Sequence, residues 1–337
     1  MVRFLLLLLG VLFVNIVAAQ QPFAIVVHGG AGYFAQQPEA VQAKYKAGLQ
    51  RAIDAGYDVL SKGGSAVDAV ERAVMVLEDD SLFNAGKGAV FTHAGTNELD
   101  AAIMDGSNLK AGAVAGVTTV KNPVTAARAV MDKSMHVMMT GKGAEQFAKE
   151  SGCTIVKPSY FYTQHSWDAL KAALQTEQKQ KETNKKKTNK KKTMLQPDNY
   201  DEKYGTVGAV ALDKNGQLAA ATSTGGMTNK RHGRIGDAPV IGAGTYASNV
   251  CAISCTGWGE YFIRLVMAKS IADRIEMKGM SLDNAAKDMI LQQLPALGGD
   301  GGLIGIDKQG NITMPFNTGT MFRGYKKWNG EGDVKIY

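Results

Sequence analysis

The sequence predicts an α+β layered fold. Strand-like apolar runs come in groups and helical spacings come in groups, and this pattern occurs once on each side of a Lys-rich stretch. A doubly wound parallel sheet would instead alternate strand and helix regularly. With 337 residues, 45% of them hydrophobic, the chain can bury a large core, arranged by length alone as one domain or two.

The first apolar run is Phe23-Ala-Ile-Val-Val27, read as a strand that ends in a glycine turn, His28-Gly-Gly-Ala-Gly32. That turn lacks the spacing and the Lys-Ser/Thr of a phosphate loop. Pro38 to Ser61 has helical spacing, and Gly63-Gly64 separates it from a second helix, Ser65 to Leu77. Ser65 with Asp68 three residues on reads as a capping pair. Leu99 to Met104 and Ala111 to Val120 read as strands, and Pro123 to Met131 and Ala144 to Glu150 as helices. Beyond the Lys-rich stretch come strands at Val207–Leu212, Leu218–Thr222, Val240–Gly242 and Cys251–Cys255. Helices at Glu260–Lys278 and Leu282–Leu294 follow, then strands at Gly302–Ile306 and Ile312–Pro315.

Three segments bound the setting. Arg3, the apolar run Phe4 to Val17 and the small residues Val17-Ala-Ala19 read as a signal peptide over 1–19, hence an exported, periplasmic or secreted, protein. That run is short for a membrane span, and no cysteine follows it to carry a lipid. The net charge of +7 is concentrated between Gln175 and Thr193, which holds eight lysines and two glutamates. Blocks of like charge repel and stay open, so 175–204 reads as a flexible tether and the charge does not argue for nucleic-acid binding. The three cysteines include Cys251 and Cys255, four apart on a strand and so on one face; they fit buried thiols or at most one bridge, and no Cys/His spacing suits zinc.

Gly205-Thr206 lies where the tether meets a strand. By themselves the two residues read as an ordinary turn. A threonine hydroxyl is a poor nucleophile without a base. If Thr206 became a chain terminus, its own α-amino group, with a pKa of roughly 7.7–8.0, would supply that base. Glycine at 205 tolerates the conformation in which Thr206 attacks the preceding carbonyl.

The surrounding motifs decide the reading. Gly205-Thr-Val-Gly-Ala-Val-Ala-Leu-Asp213, Thr222-Ser-Thr-Gly-Gly-Met-Thr-Asn-Lys230, Gly233-Arg-Ile-Gly-Asp237 and Ser254-Cys-Thr-Gly257 resemble the plant-type L-asparaginases/isoaspartyl peptidases, threonine members of the amino-terminal-nucleophile hydrolases. The resemblance extends to His28-Gly-Gly-Ala-Gly32, Asn84-Ala-Gly-Lys-Gly88, Leu99-Asp-Ala-Ala-Ile-Met-Asp-Gly106 and Pro315-Phe-Asn-Thr-Gly319, nearly all of the chain past the leader except the tether.

It implies a four-layer αββα sandwich and self-cleavage before Thr206 into an α subunit (20–205) and a β subunit (206–337), two such units pairing as a dimer. Thr224 would polarise the Thr206 hydroxyl. Arg234 would grip a substrate carboxylate and Asp237 its ammonium. Thr256 and the Gly257 N–H would form the oxyanion hole, Asn84 would stand near the scissile group and Gly259 would line the substrate. Family members also hold a monovalent cation, commonly sodium, which would rest here on carbonyls of Leu77, Glu78, Asp80, Phe83, Ala85 and Lys87. No catalytic cofactor is implied. Substrates would be β-aspartyl dipeptides and L-asparagine. The alternatives are a glycosylasparaginase, which removes a sugar from asparagine, and a non-catalytic exported binding protein. Trp258, at a position where relatives carry smaller or polar residues, would narrow the leaving-group side. His232, where several relatives have proline, would loosen the loop before Arg234.

Overall fold

The computed structural model describes residues 21–33, 37–186 and 205–337. The leader at 1–19 and the tether from 187 to 204 lie outside the described residues.

An eight-stranded sheet runs β12-β11-β1-β5-β6-β2-β3-β4. Its strands are β1 (Ala24–Gly32), β2 (Leu99–Asp105), β3 (Ala111–Val117), β4 (Met138–Thr140), β5 (Val207–Leu212), β6 (Leu218–Thr224), β11 (Thr320–Lys327) and β12 (Gly332–Lys335). Neighbours are antiparallel except the β3–β4 pair. A four-stranded sheet runs β10-β9-β8-β7, with β7 at Thr245–Ala247, β8 at Cys251–Gly257, β9 at Gly301–Asp307 and β10 at Ile312–Thr313.

The strand sequences explain the stacking. β1 is buried along its whole length, so both of its faces need cover. Its odd-numbered Ile25 and Val27 join a core with helices α1 (Glu39–Ser61), α2 (Ala66–Glu78) and α3 (Pro123–Lys133). Its even-numbered Ala24 and Val26 join Val210, Ala252 and Ile304 in a second core between the two sheets. A third core places Cys251, Ile253 and Cys255 against α7 (Met267–Lys278) and α8 (Leu282–Asp288). Cys251 and Cys255 thus share one face of β8, and both are free thiols. Helices α4 (Gly141–Glu150), α5 (Gln164–Lys186), α6 (Gly259–Leu265) and a short α9 (Leu294–Ala296) complete the described α-helices. Ser65 caps α2 by accepting from Asp68 N at 3.1 Å, as its sequence implied. Among the described residues no helix is long and apolar enough to cross a membrane.

Several expectations are corrected. The tether does not begin at Gln175, because α5 continues through Lys186. β1 runs on through the expected glycine turn to Gly32, with a register shift between His28 and Gly30 and Gly30 at φ 116°. Val240–Gly242 is a turn, closed by Gly242 N donating to Thr245 O at 2.8 Å, and the strand follows it. The helix read over 260–278 breaks at Val266, a left-handed residue at φ 46°. The one read over 282–294 passes through a π-helical turn at Met289–Gln293.

Candidate active site

β5 lies between β1 and β6, and its first residue follows Thr206 directly. Val207 pairs with Ser223, which places Thr206 beside the end of β6. Thr206 is buried, and its hydroxyl donates to Thr224 Oγ1 at 3.1 Å. Thr224 Oγ1 also accepts from Gly226 N at 2.9 Å, so its position is fixed by the turn after β6. A hydroxyl that gives its proton to Thr224 keeps its lone pairs free for attack.

Gly205 is wedged against the end of β1. A Cβ there would lie 2.7 Å from Ala31 N and would also run into Thr256 Oγ1. Thr256 Oγ1 accepts from Ala31 N at 3.1 Å and so stands beside the bond ahead of Thr206. Gly257 lines the same pocket at φ 149°, a conformation that favours glycine.

Asn84 stands behind this wall. Its Nδ2 donates to Gly226 O at 2.8 Å and its Oδ1 accepts from Val90 N at 3.1 Å. Gly225 N donates to the Asn84 carbonyl at 3.2 Å. These contacts hold the turn that carries Thr224, which is a positioning geometry.

Arg234 and Asp237 converge on the pocket that holds Thr206 and Thr224. Asp237 is 3% exposed, and its Oδ2 has no hydrogen-bond partner among the described residues. Burial pushes its carboxyl up to about 7, against its own backbone hydrogen bond and the nearby Arg234. A buried, underpaired carboxylate in a pocket suits an incoming cation such as an α-ammonium. Gly259 lies between the two: a Cβ there would sit 2.7 Å from Asp237 Oδ1 and 3.0 Å from Arg234 Nη2.

Sequence reasoning missed Glu260. Its carboxylate takes Arg234 Nε at 2.9 Å and Nη2 at 2.6 Å, a bidentate pair. Burial opposes its charge, but Arg234 holds the Glu260 carboxyl below its ordinary range. No local sequence signal marks this role, since Glu260, the second residue of α6, meets Arg234 across 26 positions. His28 was also missed as a site residue. It is fully buried, with Nε2 2.9 Å from Ser254 Oγ, which lies 2.7 Å from Thr222 Oγ1. Burial drives His28 down to about 3, against a hydrogen bond with the Thr206 backbone, so it stands as a neutral imidazole beside Thr206.

Trp258 lines the pocket, edge-on to Tyr261 at 5.4 Å and 89°. His232 adopts φ 56°, which proline cannot reach because its ring fixes φ near about −65°.

In the loop after α2, Leu77 O and Asp80 O each accept a backbone N–H at 3.3 Å, Phe83 O accepts from Ala85 N at 2.8 Å and Ala85 O from Gly88 N at 3.1 Å. A Cβ at Gly86 would run into the Glu78 carbonyl, and one at Gly88 into the Phe83 carbonyl. The loop therefore closes its carbonyls over two glycines. Lys87 Nζ reaches outward to the Tyr160 carbonyl. Glu78 is buried, and desolvation raises its carboxyl to about 8 despite hydrogen bonds from Ser223, Val124 and Asn122. Among the described residues no three His, Cys, Asp or Glu side chains cluster to hold a metal.

Thr206 and Thr224 thus share one pocket with Arg234, the buried Asp237 and Gly257. The chain belongs to the asparaginase family, whose model matches residues 20–336. It is 49% identical over 313 residues to an isoaspartyl peptidase of Escherichia coli, covering 92% of this chain and 94% of that protein. It is 48% identical over 313 residues to an isoaspartyl peptidase of Salmonella typhimurium, covering 92% and 96%. A plant-type L-asparaginase of Pyrococcus abyssi is 42% identical over 305 residues, 90% of this chain and 96% of its own length.

Proposed function

We propose that this chain is a self-cleaving hydrolase of β-aspartyl dipeptides and L-asparagine, with Thr206 as its nucleophile. The observation that carries this reading is the Thr206–Thr224 hydroxyl pair at 3.1 Å, directly after a glycine that has no room for a side chain. In the precursor, Thr206 Oγ attacks the Gly205 carbonyl carbon. The acyl group moves from nitrogen to oxygen, and water hydrolyses the ester, leaving a Gly205 carboxylate and a free Thr206 amine.

That amine then serves as the base. Arg234 and Asp237 hold the α-carboxylate and α-ammonium of the aspartyl part. Thr206 Oγ attacks the side-chain carbonyl and gives its proton to its own amine. The oxyanion is held by the Thr256 hydroxyl and the Gly257 N–H, whose donors cost no reorganisation as charge develops. The proton passes to the departing ammonia or amino acid, and water releases L-aspartate from the acyl-enzyme. Trp258 would restrict the leaving-group side.

The three stacked cores support a four-layer αββα arrangement. A hard monovalent cation such as sodium, held by backbone carbonyls of Leu77, Glu78, Asp80, Phe83, Ala85 and Lys87, is part of the proposal and would stiffen the loop leading to Asn84. Pairing of two αβ units as a dimer, and export directed by residues 1–19, are part of the same proposal.

The test is hydrolysis of β-Asp-Leu, L-asparagine and a glycosylated asparagine by the purified protein. Release of L-aspartate from the first two is expected. Turnover of the glycosylated substrate alone would move the reading to a glycosylasparaginase.

A further inference from the structure

Helix α5 carries Glu177 onto the loop that presents Arg234. Both Glu177 oxygens accept from Arg231 Nη2, each at 2.7 Å, and Oε2 also accepts from Asn229 Nδ2 at 3.3 Å. Lys181, one helical turn on, pairs with Oε1 at 2.6 Å. Hydrogen bonding from Lys181, then from Asn229 and Arg231, holds the Glu177 carboxyl down at about 2, so the group is an anion at any working pH.

The loop needs such a hold. Asn229 at φ 64° and His232 at φ 56° occupy left-handed backbone, which costs a non-glycine residue some strain that surrounding contacts offset. The Arg231 carbonyl accepts from Arg234 N at 3.0 Å, so displacement of Arg231 is passed directly to the residue that faces the pocket. The other end of α5 contributes as well. Trp167 packs edge-on against Phe91 at 5.1 Å, and the Phe91 carbonyl accepts from Asn229 N at 2.9 Å.

We propose that Glu177 is a positioning residue for substrate recognition, through which α5 straps the Asn229–Arg234 loop onto the body of the protein. The upstream piece thereby sets the substrate-carboxylate anchor on the downstream piece. Loss of chain beyond Lys186 leaves the anchor intact, whereas loss that passes Glu177 loosens it. The proposal rests on the reading of Arg234 as that anchor.

Steady-state kinetics of the self-cleaved protein on β-Asp-Leu test it, with wild type compared to Glu177→Gln, Glu177→Arg, Arg231→Glu and the double reversal. The pair is partly exposed, so the effect is modest: KM rises roughly three- to fivefold in each single charge reversal. The rise is smaller in Glu177→Gln. kcat and the extent of self-cleavage stay at wild-type levels, and the double reversal brings KM part of the way back, since Lys181 and Asn229 still lack their carboxylate partner. An unchanged KM in Glu177→Arg, or a rise that the double reversal leaves in place, would overturn the strap while the proposed function stood. Wild type with no β-Asp-Leu activity would overturn both.

Discussion

Asp237 is the residue at which folding and recognition conflict most. Its carboxyl is buried without a full set of partners and is raised from 3.8 to about 7, mainly by desolvation. Between those two values the native chain holds a proton that the unfolded chain releases. Stability from this group is therefore complete below about pH 4 and is lost as pH rises through 7. The uncut Thr206→Ala chain isolates the effect from the new amine. Its unfolding free energy should carry a component that declines by a few kcal/mol between about pH 4 and 8, and Thr206→Ala/Asp237→Asn should lack it. Denaturant titrations across that range would show this, and parallel curves for the two chains would refute it. Thr206, Thr224, Arg234, Asp237, Thr256 and Gly257 were named from the motifs that carry the family resemblance, and the fold gathers Thr206, Thr224, Arg234, Asp237 and Gly257 around one pocket. His28, Glu177 and Glu260 were not named as site residues, because their roles come from contacts the chain makes only on folding. His28 meets Ser254 across 226 positions and Glu177 meets Arg231 across 54.

The element that matters most at the next scale is α6. It is a separate seven-residue helix, entered through Gly257 at φ 149° and left through Val266 at φ 46°. It presents Trp258, Gly259 and Glu260 together to the pocket end that holds Arg234 and Asp237. Its first residue must be glycine, since any side chain would press on Asp237 Oδ1 and Arg234 Nη2. Gly259→Ala should raise KM for β-Asp-Leu about tenfold or more while kcat changes less, because overpacking here displaces Asp237 and Arg234, the proposed substrate grip, rather than Thr206. A fall in kcat at constant KM would contradict that placement. Sequence periodicity ran α6 and α7 together because nothing marks a left-handed valine in advance. It also missed β11, whose Arg323, Lys326 and Lys327 mask the alternation, although β11 pairs with β1 over its whole length. The helix of α5 was hidden by its charge, since a Lys-rich composition reads as open chain until Glu177 and Trp167 are seen to dock.

For the whole molecule, the central fact is how the two halves interleave. β1, from upstream of Gly205, lies between β5 and β11, both from downstream, and β6 in turn pairs with upstream β2. Cutting the chain before Thr206 severs one peptide bond but none of these ladders, so the two pieces remain one folded body. Sequence grouping showed the layered α+β class, but not this exchange of strands, because strand order is set by long-range pairing. The most direct test is intact mass of the purified protein under native and denaturing conditions, with Thr206→Ala beside it. The account predicts one species natively, two chains on denaturation with the downstream one starting at Thr206, and an uncut mutant without activity. A wild-type chain that stays whole yet hydrolyses β-Asp-Leu, or a Thr206→Ala chain that still divides at this bond, would contradict it.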